Sequence, residues 1–287
     1  ERPDLVVFVG GGFIDMDFAY IAKRAGASEV TVLEMMDRPL GNFDPDLVAI
    51  LVEATAELGV ALRTEAKVLK VEKKGGELAV WFETPGGIKV VTCDTVVHAT
   101  GRVPDIDGLN LVAAGVEHGP RGIKVNASMR TTNPNIFAAG DCADSGPNLT
   151  PVSAYEGRIA AKNLLAGHDE RNVSYPPIPS VVYTLPMVAT VGLSETAARE
   201  KGLKFDTYFE KTQGWYSSLR VGAKWTGYKV LVEQETGRIL GAHLMGPGAE
   251  EQINLFAMAM GAGLTANQIK AMIFAYPSYA SDIGSMV

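Results

Sequence analysis

Residues 5–34 read LVVFVGGGFIDMDFAYIAKRAGASEVTVLE and decide the fold. The apolar run Leu5–Val9 is typical of a strand that is buried on both faces. Three glycines end that run, Ile14–Ala25 then follow helical periodicity up to Gly26, and Val30–Glu34 predicts a second buried strand. A strand, a glycine turn, a helix and a parallel strand form a βαβ unit, so we predict a Rossmann-like α/β domain.

The glycine turn predicts a dinucleotide site. Gly10 permits the tight turn, and Gly12 lets the backbone approach a pyrophosphate at the positive end of the helix dipole. Glu34 follows 24 residues after Gly10, where a carboxylate can bind ribose hydroxyls; this favours NAD over NADP, although the nearby Arg38 leaves NADP open. Asp15 stands where Gly or Ala is usual, and its carboxylate would repel a pyrophosphate. The alternative is a glycine corner that binds no ligand.

The remainder of the first 101 residues predicts one domain. Asp44 is predicted to cap a helix that starts at Pro45 and runs to Gly59. A three-stranded antiparallel meander and a further buried strand follow, at Lys67–Lys73, Leu78–Glu83, Ile88–Thr92 and Thr95–Ala99. We therefore expect an NAD(P)-binding domain over residues 1–101, and we interpret His98 as a core histidine of its last strand.

The chain beyond this domain predicts two further parts. Residues 102–167 contain one short strand, Asn135–Ala139, and a helix after Pro151, which are too few elements to close a core. We interpret them as part of a domain whose remainder lies elsewhere. Residues 168–287 predict an α+β domain, with a helix capped by Ser194 and a capping box at Thr265. Its predicted strands lie at 181–183, 187–191, 229–233 and 239–245, the last two forming a hairpin. Its predicted helices lie at 194–202, 249–261 and 266–274.

Composition excludes several classes of protein. The formal net charge is −7 and no block of Lys or Arg occurs, so we expect no nucleic-acid partner. No apolar run is long enough to span a membrane and no secretory signal is visible, so we expect no membrane partner. The two cysteines, Cys93 and Cys142, form no CxxC pair or metal-ligand cluster, which favours a reducing, cytoplasmic location and a packing role for Cys142.

Several segments together resemble one family. Gly10–Ala19 resembles the NAD(P) segment of the pyridine nucleotide-disulphide oxidoreductases, which include dihydrolipoamide dehydrogenase, glutathione reductase and mercuric reductase. Ala99–Pro104 is similar to the strand exit that closes their NAD domain, and Thr132–Asp141 resembles their second flavin motif. The resemblance continues through Leu149–Val152, Glu156–Ala161 and Pro186–Ser194. It implies a FAD-dependent NAD(P)H oxidoreductase fold that ends in a dimerisation domain.

The resemblance also implies roles for single residues. Asp141 would hydrogen-bond the ribitol of FAD, whereas the alternative is a loop aspartate that only caps a turn. The backbone N–H groups around Leu149, Thr150 and Val152 would face the flavin ring, where a helix N-terminus favours the reduced, anionic form. Val68 would contact the nicotinamide cofactor or could equally belong to the core. The whole implied set for NAD(H), preferred over NADP(H), is Gly10, Gly12, Glu34, Val68 and Gly101.

Two departures from the family pattern bear on activity. The family's N-terminal FAD half, with its own glycine motif and CxxxxC pair, has no counterpart here, so we expect the 287 residues alone to be flavin-free and inactive, whether that part was removed or the protein is a remnant. The family's His-Pro-Thr-x-x-Glu appears as Tyr276-Pro277-Ser278, with Ser281 in the Glu position. Free Tyr has a pKa of about 10, whereas that of His is roughly 6.5, so Tyr276 is a poor catalytic base at neutral pH.

These patterns leave two hypotheses. The first is an enzyme that passes hydride from NAD(P)H through FAD to a small-molecule acceptor: a disulfide, a quinone, a metal ion or another pyridine nucleotide. Tyr276 could then donate a proton or stack on the substrate. The second is a non-catalytic dimeric scaffold or an NAD-binding remnant, with Tyr276 as an interface residue. In both, the apolar helix predicted at 249–261 favours a homodimer.

Overall fold

A computed structural model describes residues 3–287. The chain divides into two compact units, the first made of residues up to 100 together with 177–287, and the second of residues 101–176. The elements before residue 100 are β1 (Leu5–Val9), α1 (Phe13–Arg24), β2 (Glu29–Leu33), α2 (Pro45–Leu58), β3 (Val60–Arg63), β4 (Lys67–Lys74), β5 (Glu77–Thr84), β6 (Gly87–Cys93) and β7 (Thr95–His98). The second unit contains β8 (His118–Gly119), β9 (Gly122–Lys124), β10 (Ala143–Asp144) and α3 (Thr150–Ala166). The remaining elements are β11 (Ser180–Val182), β12 (Val188–Gly192), α4 (Glu195–Glu200), β13 (Phe205–Lys211), α5 (Tyr216–Val221), β14 (Gly227–Glu233), β15 (Ile239–Met245), α6 (Ala249–Gly261) and α7 (Ala266–Lys270).

A four-stranded parallel sheet carries the glycine turn. Its strand order is β3-β2-β1-β7, with Val6 opposite Val30 on one side and opposite Thr95 on the other. β1 is apolar throughout because it is a central strand, and Phe8 on its face packs with Met16 of α1 in the main core. Parallel pairing brings the carboxyl ends of β1 and β2 to the same edge, which places the glycine turn beside Glu34.

Local signals define α2 as predicted. The carboxylate of Asp44 accepts hydrogen bonds from the N–H groups of Asp46 and Leu47, at 3.1 and 3.2 Å, and Pro45 occupies the first turn. Gly59 ends the helix in the left-handed region, with φ +84°. Beyond it, β4, β5 and β6 form the predicted antiparallel meander and pack on the other side of β1 through Val80.

A five-stranded antiparallel sheet, in the order β11-β12-β15-β14-β13, lies in the 177–287 part of the first unit. Lys229 of β14 is 1% exposed, and its ammonium pairs with Asp44 at 2.9 Å, with Glu195 at 3.3 Å and with Asp46. A buried ammonium is tolerated only when it is paired in this way. The carboxylates around Lys229 therefore join the start of α2 to the antiparallel sheet.

The second unit has a small core of its own. The strands β10, β9 and β8 form a three-stranded sheet, and apolar side chains gather around Ile123 and Ala143. α3 runs from Thr150 to Ala166, close to the predicted helix after Pro151. The division into domains at 1–101, 102–167 and 168–287 stays a prediction.

The structure corrects three predictions. The predicted strand at 135–139 is reduced to an isolated antiparallel bridge between Phe137 and Arg130. The side chains of Thr131 and Asn133 accept the N–H groups of Asn133 and Asn135, which turns the chain just ahead of the bridge and leaves too little length for a strand. The last helix ends at Lys270 instead of Phe274, ahead of Pro277. His98 is exposed, because β7 is an edge strand, and its ring contacts the Thr100 hydroxyl at 3.2 Å.

Candidate functional site

The glycine turn begins at a backbone conformation that excludes a side chain. Gly10 has φ +118°, and its N–H donates to the Leu33 carbonyl at 2.9 Å. A methyl group at Gly10 would lie 2.7 Å from the Asp15 carboxyl oxygen Oδ2 and 3.0 Å from the Ala99 carbonyl oxygen. Both the conformation and the space therefore require glycine here.

Glu34 lies directly against this turn. Its Oε2 accepts the N–H of Gly11 at 2.5 Å, and its Oε1 accepts the N–H of Met36 at 2.7 Å. The structure thus brings together Gly10, Gly12 and Glu34, the three residues that the sequence assigns to a dinucleotide. The two backbone bonds orient the Glu34 carboxylate at the carboxyl end of β2, where a ribose would approach it.

Asp15 occupies the turn from the first turn of α1. The residue is fully buried, with 0% exposure, and neither carboxyl oxygen has a hydrogen-bond partner. Burial, with a smaller contribution from the Glu34 carboxylate, raises the pKa of Asp15 from its usual 3.8 to about 7. The N–H groups of Gly12 and Asp15 itself counteract the rise but do not approach with hydrogen-bond geometry. A buried carboxyl group with a pKa near neutrality therefore borders the glycine turn that the sequence predicts for a pyrophosphate.

Asp17, two positions further along α1, is a second acidic group that sequence reasoning did not single out. Burial raises its pKa from 3.8 to about 6, while the backbone N–H of Tyr183 acts in the opposite direction. Its position soon after the glycine motif is the signal that could have drawn attention to it. Asp17 faces the Tyr183 segment, whereas Asp15 lies against Gly10.

Val68, Gly101 and Arg38, which also bear on the predicted nicotinamide cofactor, do not contact the glycine turn through any hydrogen bond described for them. Val68 is half-buried on β4 and packs against the core of the meander. Gly101 has φ +134° and is the first residue of the second unit. Arg38, which left NADP open, donates to the backbone carbonyls of Leu40, Gly41 and Phe43.

Asp141 forms the centre of a separate site in the second unit. The Arg102 guanidinium pairs with Asp141 Oδ2 at 2.9 Å, and the Ser153 hydroxyl donates to Asp141 Oδ1 at 3.3 Å. Because Ser153 lies in the first turn of α3, this bond holds Asp141 beside the helix N-terminus. A cleft opens here, lined by Arg102, Val103, Pro104, Asp105, Asp141, Cys142 and Asn148.

Glu156 fixes the loop that carries Asp141, a role that sequence reasoning missed. It is fully buried and accepts the N–H of Gly140 at 2.7 Å, the N–H of Gly146 at 3.2 Å and the hydroxyl of Tyr175. Burial alone raises the pKa of Glu156, but these hydrogen bonds together hold it below its usual value. The ionised carboxylate therefore ties both ends of the 140–146 loop to α3.

The start of α3 meets the requirements of an anion-stabilising helix end. Leu149 is the N-cap residue and provides no capping side chain, Thr150 is exposed, and the Val152 side chain is buried. The first N–H groups of a helix have no acceptor within the helix, so they present donors and the positive end of the dipole.

Tyr276 lies at the surface, and its surroundings do not favour a role as a catalytic base. It is 73% exposed, and its ring stacks on Tyr216 with the ring centres 5.8 Å apart. Arg220, Ser278 and Asp282 line a small pocket at this pair. The described residues of the lining include the carboxylate of Asp282 but no histidine, so the imidazole and carboxylate pair of the family pattern is incomplete there.

Between residues 3 and 287, no three or more His, Cys, Asp or Glu side chains come together as a metal site. Within the same stretch, none of the helices combines the length and the apolar character that a membrane crossing requires.

Comparisons with known proteins identify the family of the chain. Residues 1–157 match the family model described as pyridine nucleotide-disulphide oxidoreductase, and residues 178–287 match the dimerisation domain of the same family. The chain belongs to the pyridine nucleotide-disulphide oxidoreductase family. The mixed α/β fold with a dimerisation domain is confirmed.

Individual members of the family match nearly the whole chain. Mercuric reductase of Bacillus cereus is 34% identical over 98% of this chain and 44% of its own length. Dihydrolipoyl dehydrogenase of Geobacillus stearothermophilus is 34% identical over 97% of this chain and 58% of its own length. The Cu(II) complex of the HOCl-induced flavoprotein disulfide reductase RclA from Escherichia coli superposes with a TM-score of 0.91 at 27% identity, over all of this chain and 64% of that one. The chain thus spans about half the length of the curated relatives it matches.

Proposed function

We propose that this chain takes part in a FAD-dependent NAD(P)H oxidoreductase. The observation that carries the proposal is the contact of Glu34 with the glycine turn, because it assembles a ribose-binding carboxylate and a pyrophosphate-sized turn at one sheet edge. NAD(H) is preferred over NADP(H), since the Arg38 guanidinium is occupied by backbone carbonyls. The flavin ribitol is assigned to Asp141.

The residues of this chain would bind and orient the cofactors. When bound, the nicotinamide and the flavin supply the hydride-transfer chemistry, and the protein supplies position and electrostatics. Glu34 holds the adenosine end. Asp141, fixed through Ser153 and Glu156, holds the ribitol, and the N-terminus of α3 stabilises negative charge on the ring system.

The electron acceptor is a small molecule in this proposal. The relatives named above include a mercuric reductase and a flavoprotein disulfide reductase. Tyr276 is exposed and stacked on Tyr216, so we assign it no role as the base of dithiol–disulfide exchange. A substrate that stacks on this aromatic pair fits the surface better.

We further propose that the 287 residues by themselves retain no flavin and turn over no NADH. Asp141 and the start of α3 contact only part of a FAD molecule, and Asp141 is already paired with Arg102. Visible flavin absorbance in the purified protein would contradict this. The 178–287 region would form a homodimer, as its dimerisation-domain match supports, and a monomeric mass by light scattering at micromolar concentration would contradict that part.

A second function is favoured by one observation, the buried carboxyl group of Asp15 within the glycine turn. It would make the chain a dimeric scaffold or an NAD-binding remnant without catalysis. Binding of NAD⁺ without turnover in a protein that also contains the family's FAD half would support this function over the first.

Calorimetric titration with NAD⁺ tests the site itself. Asp15→Gly removes the competing carboxyl group and should tighten binding by about tenfold at pH 8, where Asp15 is mostly charged and would repel the phosphates. Glu34→Ala should weaken binding in the Asp15→Gly background. Absence of binding in both the original protein and Asp15→Gly would overturn the dinucleotide assignment.

A further inference from the structure

Asp15 is unusual because its carboxyl group is buried without any compensating partner. Its exposure is 0%, and both oxygens lack hydrogen bonds. Among residues 3–287, no Lys, Arg or His forms an ion pair with it. A charged carboxylate in such surroundings is strongly unfavourable, whereas the neutral acid is tolerated.

The groups that face Asp15 are identifiable on every neighbouring element. Gly10 and the Ala99 carbonyl oxygen border it after β1 and β7, and Glu34 faces it from the end of β2. On α1 itself, the next titratable residue along the chain is Asp17, which faces the Tyr183 segment. His98, at the end of β7, is exposed and bonded to Thr100. The Asp15 carboxyl group therefore has acids and backbone around it.

The Asp15 carboxyl group borders both glycines of the turn. Its Oδ2 is the nearest atom to the position that a methyl group on Gly10 would take, at 2.7 Å, and it is 3.9 Å from the corresponding position on Gly12. Both glycines belong to the turn whose backbone should approach the phosphates. A charged Asp15 would repel the phosphates, whereas a neutral Asp15 can donate its proton to a phosphate oxygen as a hydrogen bond.

We propose that Asp15 is a proton-controlled gate on the glycine turn, which admits the pyrophosphate of a dinucleotide when its carboxyl group is protonated and excludes it when charged. The inference rests on the proposed function, since it needs the dinucleotide to bind at this turn. It goes further, because the protein would take up a proton when the dinucleotide binds at a pH where Asp15 is charged. The binding site would thus respond to pH within the neutral range.

The size of the effect follows from the fraction of protein that is competent to bind. Apparent affinity scales with that fraction, and the pKa of Asp15 is about 7. Affinity should therefore be nearly constant below about pH 6, fall to about half at pH 7, and be about tenfold lower at pH 8 than at the acidic limit. The pyrophosphate of NAD⁺ stays fully ionised over this range, so the ligand contributes no such slope.

The experiment is NAD⁺ titration by calorimetry between about pH 6 and pH 8.5, in two buffers with different ionisation enthalpies. The original protein should lose about tenfold in affinity from pH 6 to pH 8 and should take up close to one proton per NAD⁺ at the alkaline end. Asp15→Asn, which stays neutral, should bind with the same affinity at every pH and without proton uptake.

Asp17→Asn is the matched control, because Asp17 is a half-buried acid of α1 whose pKa is also raised by burial, but it faces Tyr183. This variant should keep the slope of the original protein. Circular dichroism establishes that each variant is folded, and Asp15→Gly replaces Asp15→Asn if the latter is not. Binding that is independent of pH in the original protein, or a slope that survives Asp15→Asn, would overturn the gate and leave the proposed function intact. Absence of binding in every variant at every pH would overturn both.

Discussion

Replacing the buried Asp15 by asparagine should stabilise the protein, and by an amount that depends on pH. The pKa of Asp15 rises from 3.8 to about 7 on folding, chiefly through burial. Between these two values the folded state holds a proton that the unfolded state releases. Stability therefore falls as the pH rises through this window, and the full penalty is present above about pH 7.

The magnitude follows from the two pKa values. A difference of about three units corresponds to about 4 kcal/mol at the alkaline end, at 1.36 kcal/mol per unit. At about pH 5 the same relation leaves a penalty of roughly 1.5–2 kcal/mol. The free energy of unfolding of Asp15→Asn, relative to the original protein, should thus increase by about 2–3 kcal/mol between pH 5 and pH 8 and then level off.

The assay is guanidinium unfolding followed by tryptophan fluorescence. All three tryptophans, Trp81, Trp215 and Trp225, belong to the same unit as Asp15, so their emission reports the relevant transition. Asp37→Asn, which removes an exposed carboxylate from that unit, controls for the change in net charge. A stability difference between Asp15→Asn and the original protein that does not change between pH 5 and pH 8 would refute the reasoning.

Three further changes test other parts of the structure. Gly10→Ala forces a side chain into a φ of +118° and should cost about 1–3 kcal/mol, seen as a lower denaturant midpoint; an unchanged midpoint would contradict the geometry of the turn. Lys229→Ala leaves Asp44 buried without its cation and should cost about 3–5 kcal/mol in urea unfolding, whereas the exposed Lys224→Ala should cost less than about 1 kcal/mol; equal losses would count against the buried network. Glu156→Gln should speed hydrogen exchange in the 140–146 loop relative to the original protein, and the effect should be largest at neutral pH. The difference should shrink as the pH falls through the lowered pKa of Glu156, because the stability from a depressed carboxyl pKa is lost on acidification. Unchanged exchange at pH 7 would contradict the positioning role of Glu156.

The elements that the sequence predicted well are those defined by local signals. The run Leu5–Val9, the three glycines and the Asp44-Pro45 cap each specify their structure within a few residues, and all formed within one residue of expectation. The strand β13 was missed, because FDTYFEK lies at a sheet edge and is mostly exposed, so it lacks the apolar pattern of a buried strand.

The sequence predicts which residues lie near one another in the candidate site, but it does not predict which side chains contact each other. Parallel pairing of β1 and β2 fixes Glu34 beside the glycine turn, and that juxtaposition follows from the sequence alone. The direction of the Asp15 side chain, the pairing of Arg102 with Asp141 and the three bonds of Glu156 depend on tertiary packing. Spacing along the chain does not specify which of these side chains meet.

The position of a bound dinucleotide tests the central claim most directly. Backbone amide NMR spectra of the protein, recorded at about pH 6 with increasing NAD⁺, report which residues the ligand contacts while Asp15 is protonated. We predict that the largest shifts lie at residues 10–13 and at Glu34. Saturable shifts confined to other residues, or none at the glycine turn at any NAD⁺ concentration, would contradict the account.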